Sequence, residues 1–137
     1  MADALPMITS IAPVTLVVDD YDRAIAWFTG MLGFSLIGDT DLGGGKRWVV
    51  VAPPGDRGAR LLLARADGEA QAARIGDQTG GRVGFFLETD DFARDHAALR
   101  SCGVAFLEAP RHETYGVVAV FRDLYGNRWD LIEPRAG

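Results

Sequence analysis

One cysteine, one lysine and two histidines in 137 residues are the scarcities that first limit what this chain can be. With Cys102 alone no intramolecular disulfide can form, and a reducing, cytoplasmic setting is the natural expectation. Cys102 precedes Gly103 at the end of an expected helix, where a small packed thiol is commoner than a reactive one. No apolar run approaches the roughly 20 residues of a membrane span. Met1 to Ile8 lacks the basic start and apolar stretch of a secretion signal and is expected to be a flexible tail. Lys46 is the sole lysine, the arginines are scattered, and the net charge is −5 with a pI near 4.9. A nucleic-acid surface, which needs clustered positive charge, is not expected.

What the chain does have is repetition. Asp19-Asp20-Tyr21-Asp22-Arg23-Ala24-Ile25-Ala26 follows one apolar run, and Asp90-Asp91-Phe92-Ala93-Arg94-Asp95-His96-Ala97 follows another 71 residues later. Each copy closes on a glycine and an apolar strand, Leu32-Gly33-Phe34-Ser35-Leu36 in one and Cys102-Gly103-Val104-Ala105-Phe106 in the other. Matched halves of this kind build one site between them, so equivalent positions in both copies are the places to look. A hydrophobic content of 48% with 24% charged residues suits one soluble domain of this length.

Periodicity orders the elements. Ile11 to Val18 reads as a strand buried on both faces, and Asp20 as the N-cap of a helix from Tyr21 to about Leu32 that stops at Gly33. Ala24, Trp27, Phe28 and Met31 form its core stripe. Strands follow at Phe34 to Gly38, Arg47 to Ala52 and Arg60 to Ala64, with Gly43-Gly44-Gly45 a free loop and Pro53-Pro54-Gly55-Asp56 a break. Ala66 to Arg82 is polar, helical over Glu69 to Ile75, and joins the halves. The order then repeats: strand Val83 to Glu88, helix Phe92 to Ser101, and strands Val104 to Leu107, Val117 to Phe121 and Arg128 to Glu133. Phe92, His96 and Leu99 share one helical face, which makes His96 a rim or half-buried residue. Arg111 to Gly116 reads as a loop. The implied fold is α+β: paired βαβββ modules, about 9–65 and 83–134, forming a curved mixed sheet with a concave cup and helices on the convex face. A single domain spans residues 9–134, with residues 66–82 as connector.

At Val14-Thr15-Leu16-Val17-Val18-Asp19-Asp20, Ala26-Trp27-Phe28, Leu32-Gly33-Phe34, Leu87-Glu88-Thr89-Asp90-Asp91 and Asp123-Leu124-Tyr125-Gly126-Asn127-Arg128-Trp129-Asp130-Leu131 the chain resembles the vicinal-oxygen-chelate superfamily. That group includes glyoxalase I, extradiol dioxygenases and the fosfomycin and bleomycin resistance proteins. The resemblance implies the same βαβββ modules, assembly as a homodimer, and a divalent metal held by the first and last strand of each module. Those four places fall here on Pro13, Gly84, Leu62 and Asp130, of which Asp130 alone carries a donor. One carboxylate is too few for Zn²⁺, Mn²⁺ or Fe²⁺, since catalytic sites normally offer three protein ligands. His96 and His112 lie off the ligand strands. No metal and no other cofactor is therefore expected.

A strand's two-residue period puts Thr15 and Val17 on the cup face with Pro13, Phe86 and Glu88 with Gly84, and Arg128 and Ile132 with Asp130. Phe85, Leu87, Trp129 and Leu131 then point to the helices. The expected ligand-binding set is Thr15, Trp48, Phe86, Glu88, Tyr115, Arg128 and Asp130. Glu88 and Asp130, with Glu113, are the candidates for acid/base work, because neighbouring carboxylates raise one another's pKa. Against this, Glu88 has bland roles open to it, capping the turn at Thr89-Asp90 or pairing with Arg128, and Asp130 has a structural ion pair. His112 is the one histidine placed near a ligand, though an exposed loop histidine is usually just solvated, and Trp48 is equally a stacking surface or a dimer-interface residue. The favoured function is metal-free binding of a small aromatic or amphipathic molecule. An enzyme is the alternative, using metal-free acid/base chemistry or a metal site rebuilt from Glu88, Glu113 and Asp130. A pseudoenzyme acting through protein partners is the third.

Overall fold

The computed structural model describes residues 4–55 and 57–135. The first three residues of the expected tail, and Asp56 of the expected break, lie outside the described residues. The order is β1 (Val14–Val18), α1 (Tyr21–Gly30), β2 (Ser35–Gly43), β3 (Lys46–Ala52), β4 (Leu61–Arg65), α2 (Glu69–Ala72), β5 (Val83–Glu88), α3 (Phe92–Ser101), β6 (Arg111–Glu113), β7 (Gly116–Arg122) and β8 (Arg128–Pro134). This is the expected α+β arrangement of two βαβββ modules. Each forms a mixed four-stranded sheet, ordered β1-β4-β3-β2 and β5-β8-β7-β6. The two modules start their helices identically: Asp20 Oδ1 accepts from Arg23 N at 2.8 Å, and Asp91 Oδ1 from Arg94 N at 3.1 Å.

The helix-covered faces of both sheets meet in one continuous core. Leu16, Val18, Phe28, Val49, Val51 and Leu63 come from the first module, Leu99, Phe121, Trp129 and Leu131 from the second. Trp129 joins them, its ring 5.9 Å from Phe28 and 6.2 Å from Phe34. Because one face of each sheet is consumed in this way, strand side chains alternate. Leu16 and Val18 are fully buried while Thr15 is exposed, which corrects the expectation of a first strand buried on both faces. Ile11, assigned to that strand, lies exposed ahead of it.

The β1 edge at the seam between modules is met by a side chain. Gln78, in the connector, accepts at Oε1 from Val17 N at 2.9 Å and donates from Nε2 to Thr15 O at 2.6 Å. One primary amide thus offers β1 the donor and acceptor that a neighbouring strand would supply. The connector's helix stops at Ala72 and continues as turns, and Gly76 lies so close to Tyr125 O that a Cβ there would sit 2.1 Å away.

The second half departs from the sequence expectation in one place. Val104 to Leu107 makes only a single bridge, Phe106 to Phe121, whereas Arg111 to Glu113, expected as loop, is a strand paired with β7. The cause is local. Leu107 N donates to Val120 O at 2.8 Å, but the return bond, from Val120 N at 2.9 Å, goes to the Glu108 carboxylate rather than to backbone. Pro110 then has no N–H to continue a ladder. Cys102, expected to pack, is exposed.

His96 lies between two rings, 5.1 Å from Phe92 and 4.4 Å from Phe106. Desolvation, with a smaller repulsion from Arg100, holds its pKa below the usual 6.5. The folded chain therefore binds a proton at His96 less readily than the unfolded chain does. Its contribution is full above about pH 6.5 and is lost as pH falls through the lower folded value. The urea midpoint is expected to drop between about pH 7.5 and pH 5.5, and His96→Phe to flatten that drop; an unchanged slope in the variant would count against this assignment.

Candidate functional site

Burying the helix-side faces leaves the opposite faces of both sheets open. On the first sheet, Thr15, Leu62 and Val50 form one row across β1, β4 and β3, with Trp48 two residues along β3 on the same face. A groove of about 640 Å³ runs over this face, floored by Trp48 and Val50 and walled by Ile37 and Gly38, by residues 10–13, and by Gly58 and Arg60. A bulge between Leu36 and Gly38 shifts the β2 register where Ile37 enters the wall. Trp48 is 46% exposed and lines the groove.

On the second sheet, β5 pairs in parallel with β8, placing Phe86 beside Asp130 and Glu88 beside Ile132, all on the open face. Val120 and Val118 continue these rows on β7, and Arg111 continues the second onto β6. Phe86 is 65% exposed, although it stands in the middle of a strand. Arg128 and Arg122 share the adjoining row, and Arg128 Nη1 donates to Gly81 O at 3.3 Å.

The structure thus brings the expected residues together in two groups. Trp48 and Thr15 lie on the first sheet, and Phe86, Glu88, Arg128 and Asp130 on the second; Tyr115 stands exposed at the β6–β7 turn. Within one chain the groove draws on the first module alone. Glu113 faces the same side as Arg111 and is bound to it at 3.1 Å, while His112, between them in the strand, takes the opposite side. Two side chains that matter here were not singled out from sequence, Ile37 and Glu108. Ile37 enters the wall only through a bulge. Glu108 accepts from Arg111 Nε at 2.8 Å, a contact foreshadowed only by an i, i+3 charge pair.

Asp130 is the electrostatically unusual group. Among the described residues its Oδ1 is the buried side-chain polar atom without a hydrogen-bond partner. Desolvation raises its carboxyl pKa; Arg111 opposes this, and Glu108 adds to it. The structural ion pair considered for Asp130 is not formed among the described residues. Glu88 neither pairs with Arg128 nor caps the following turn: Arg128 turns to Gly81 O, Asp91 caps α3, and the Phe92 N–H goes to Glu133 at 2.8 Å.

The residues present do not fit a divalent metal of the kind the resemblance implies. Pro13 and Leu62 have no donor, and at Gly84 a Cβ would meet the Thr79 methyl at 2.9 Å, so a ligating side chain there would require Thr79 to move. Among the described residues no three or more His, Cys, Asp or Glu side chains come close enough to hold an ion. The rebuilt set of Glu88, Glu113 and Asp130 is not assembled within one chain.

A family model described as Glyoxalase/Bleomycin resistance protein/Dioxygenase superfamily matches residues 10–131. An uncharacterized protein of Shewanella frigidimarina is 52% identical over 125 residues, covering 90% of this chain and 93% of that protein. Among solved structures, UcmS2 is 30% identical with a TM-score of 0.80, over 93% of this chain and 99% of that one. TnmS3, described as an antibiotic binding protein from Streptomyces sp. CB03234, is 29% identical with a TM-score of 0.76, over 96% of this chain and 100% of that one. Among the described residues no helix is long and apolar enough to cross a membrane.

Proposed function

The chain belongs to the Glyoxalase/Bleomycin resistance protein/Dioxygenase superfamily, and from that premise we propose that it binds a small, planar, largely apolar molecule without a metal ion. The observation that carries this reading is the groove over the first sheet, where an indole with nearly half its surface open lies on a floor of Trp48 and Val50. Volumes of this order hold drug-sized ligands, and a few polar groups among apolar walls are what such sites need. The description of TnmS3 as an antibiotic binding protein supports small-molecule binding.

In the full site a second copy of the chain completes the cup. Trp48 and Phe86 both lie exposed on sheet faces turned away from their own core, and a homodimer that set one chain's first sheet against its partner's second would cover both. The protein then acts as a cytoplasmic binder of a small molecule, with no cofactor.

The test is titration of the purified protein with a panel of planar aromatic compounds, followed by tryptophan quenching and calorimetry. Saturable binding near one ligand per chain is expected, with the protein sedimenting as a dimer. Metal analysis after exhaustive dialysis is expected to find well under one equivalent of Zn, Mn, Fe or Ni. Stoichiometric retained metal, or the absence of any binding across the panel, would remove this reading.

A further inference from the structure

We propose that the open face of the second sheet binds the protonated amine of that small molecule, with Asp130 and Glu88 as its anionic partners and the Phe86 ring as the surface it rests on. This builds on the small-molecule reading above and adds the chemical class of the ligand.

Three independent features converge on one patch. Phe86 stands mid-strand with 65% of its surface open, in register with Asp130 on the neighbouring strand. Asp130 Oδ1 is withdrawn from water and accepts no hydrogen bond from any described residue, which leaves the carboxyl with an unmet acceptor. Glu88, two residues along β5 on the same face, is also without a hydrogen bond or ion pair among the described residues. Neighbouring strands lie about 4.8 Å apart and residues two along a strand about 6.6 Å apart. One ammonium can therefore lie against the ring and reach both carboxylates.

Arg111 lies near enough to act on the Asp130 carboxyl, but among the described residues no cation bonds to Asp130 Oδ1. Arg111 is engaged by Glu108 at 2.8 Å and Glu113 at 3.1 Å. Arg128 donates to Gly81 O, and Arg122 lies beside it in the row beyond Asp130. A neutral hydroxyl could satisfy Asp130 Oδ1, but it would leave Glu88 unmatched and gain nothing from the ring face. A cation gains from all three, because an aromatic face attracts positive charge and an ammonium carries three donors. A divalent metal would find two carboxylates and no third ligand, whereas an organic ammonium requires none. Val120 and Ile132, which share the face and are part-exposed, would receive the carbon frame next to the amine. The chain's net charge of −5 also favours approach of cations over anions.

The experiment compares three probes of one shape by calorimetry at near-neutral pH and low salt: 2-naphthylmethylamine, 2-naphthylmethanol and 2-naphthoate. The wild-type protein is expected to bind the amine about tenfold or more tightly than the alcohol, and the naphthoate most weakly, with the amine's advantage shrinking at high salt. Asp130→Asn and Glu88→Gln are each expected to cut the preference for amine over alcohol to below about threefold, with the amine losing more affinity than the alcohol. Glu69→Gln, on α2, should change nothing. Equal affinity of the wild type for amine and alcohol, or a preference that survives in the doubly substituted protein, would overturn this proposal while the small-molecule reading stands. Failure of all three probes to bind would overturn both.

Discussion

Asp123→Ala is expected to lower the melting temperature by on the order of 10–20 °C, the largest loss from any single polar substitution in this protein. Asp123 is buried and serves four donors at once. Oδ1 accepts from Tyr125 N at 2.9 Å and Asn127 N at 3.0 Å; Oδ2 accepts from Asn127 Nδ2 at 3.0 Å and Trp129 Nε1 at 3.0 Å. Alanine would leave two backbone N–H groups, an amide and an indole N–H unsatisfied in a dry site. Each orphaned donor costs about 1–3 kcal/mol, and partial relaxation of the turn limits the total to about 3–5 kcal/mol. Asp123→Asn separates charge from geometry. It keeps one acceptor oxygen but points an NH₂ at either the two backbone donors or the indole and amide, so it is expected to recover less than half the loss. Thermal unfolding monitored by circular dichroism checks both. A shift below about 3 °C for the alanine variant would mean that water replaces the carboxylate and that this turn is not a structural lock.

Trp48→Ala is expected to weaken binding of planar ligands by about 10- to 100-fold while moving the melting temperature by less than about 3 °C. The two numbers diverge because Trp48 is 46% exposed and sits on the open side of β3. Its ring is therefore spent on the groove rather than on the core, unlike Trp129, which is 3% exposed and in contact with Phe28 and Phe34. Large aromatic anchors in interfaces typically contribute about 2 kcal/mol or more on truncation, and every 1.4 kcal/mol is a factor of ten in affinity. Trp48→Phe should restore most of the affinity, because a stacking face matters more than the indole N–H. Unchanged affinity in the alanine variant, measured by calorimetry with the ligand that binds best, would move the site off the first sheet.

Helix starts, strand order and the division into two modules were readable in the chain because each depends on local chemistry. Asp20 and Asp91 cap by a bond three residues away, and the alternation along β5 and β8 follows from a two-residue period. The same logic correctly set Phe86, Glu88 and Asp130 on one face and Trp129 and Leu131 on the other. It failed at Arg111 to Glu113, where the strand exists because β7 offers it an edge, and at Ile11, which has the composition of a strand but no sheet to join.

The closing turn makes the division concrete. The pattern Asp123-Leu124-Tyr125-Gly126-Asn127 announces a turn through Gly126, whose φ of 97° suits glycine and few other residues. That Trp129, whose indole the Asp123 carboxylate receives six residues away, would join the core of the first module follows from packing against Phe28, 101 residues earlier. Local propensity and periodicity therefore specified the modules and the alternation of their faces, and the family resemblance implied that Pro13, Leu62 and Gly84 stand without donors where metal ligands would be. Only long-range packing joined the helix-side faces of both sheets into one shared core. It thereby left Trp48 and Phe86 exposed and Asp130 Oδ1 buried without a partner among the described residues. The physical reason is that a strand's pattern encodes that its two sides differ, while the choice of what each side meets is a tertiary free energy summed over residues remote in sequence.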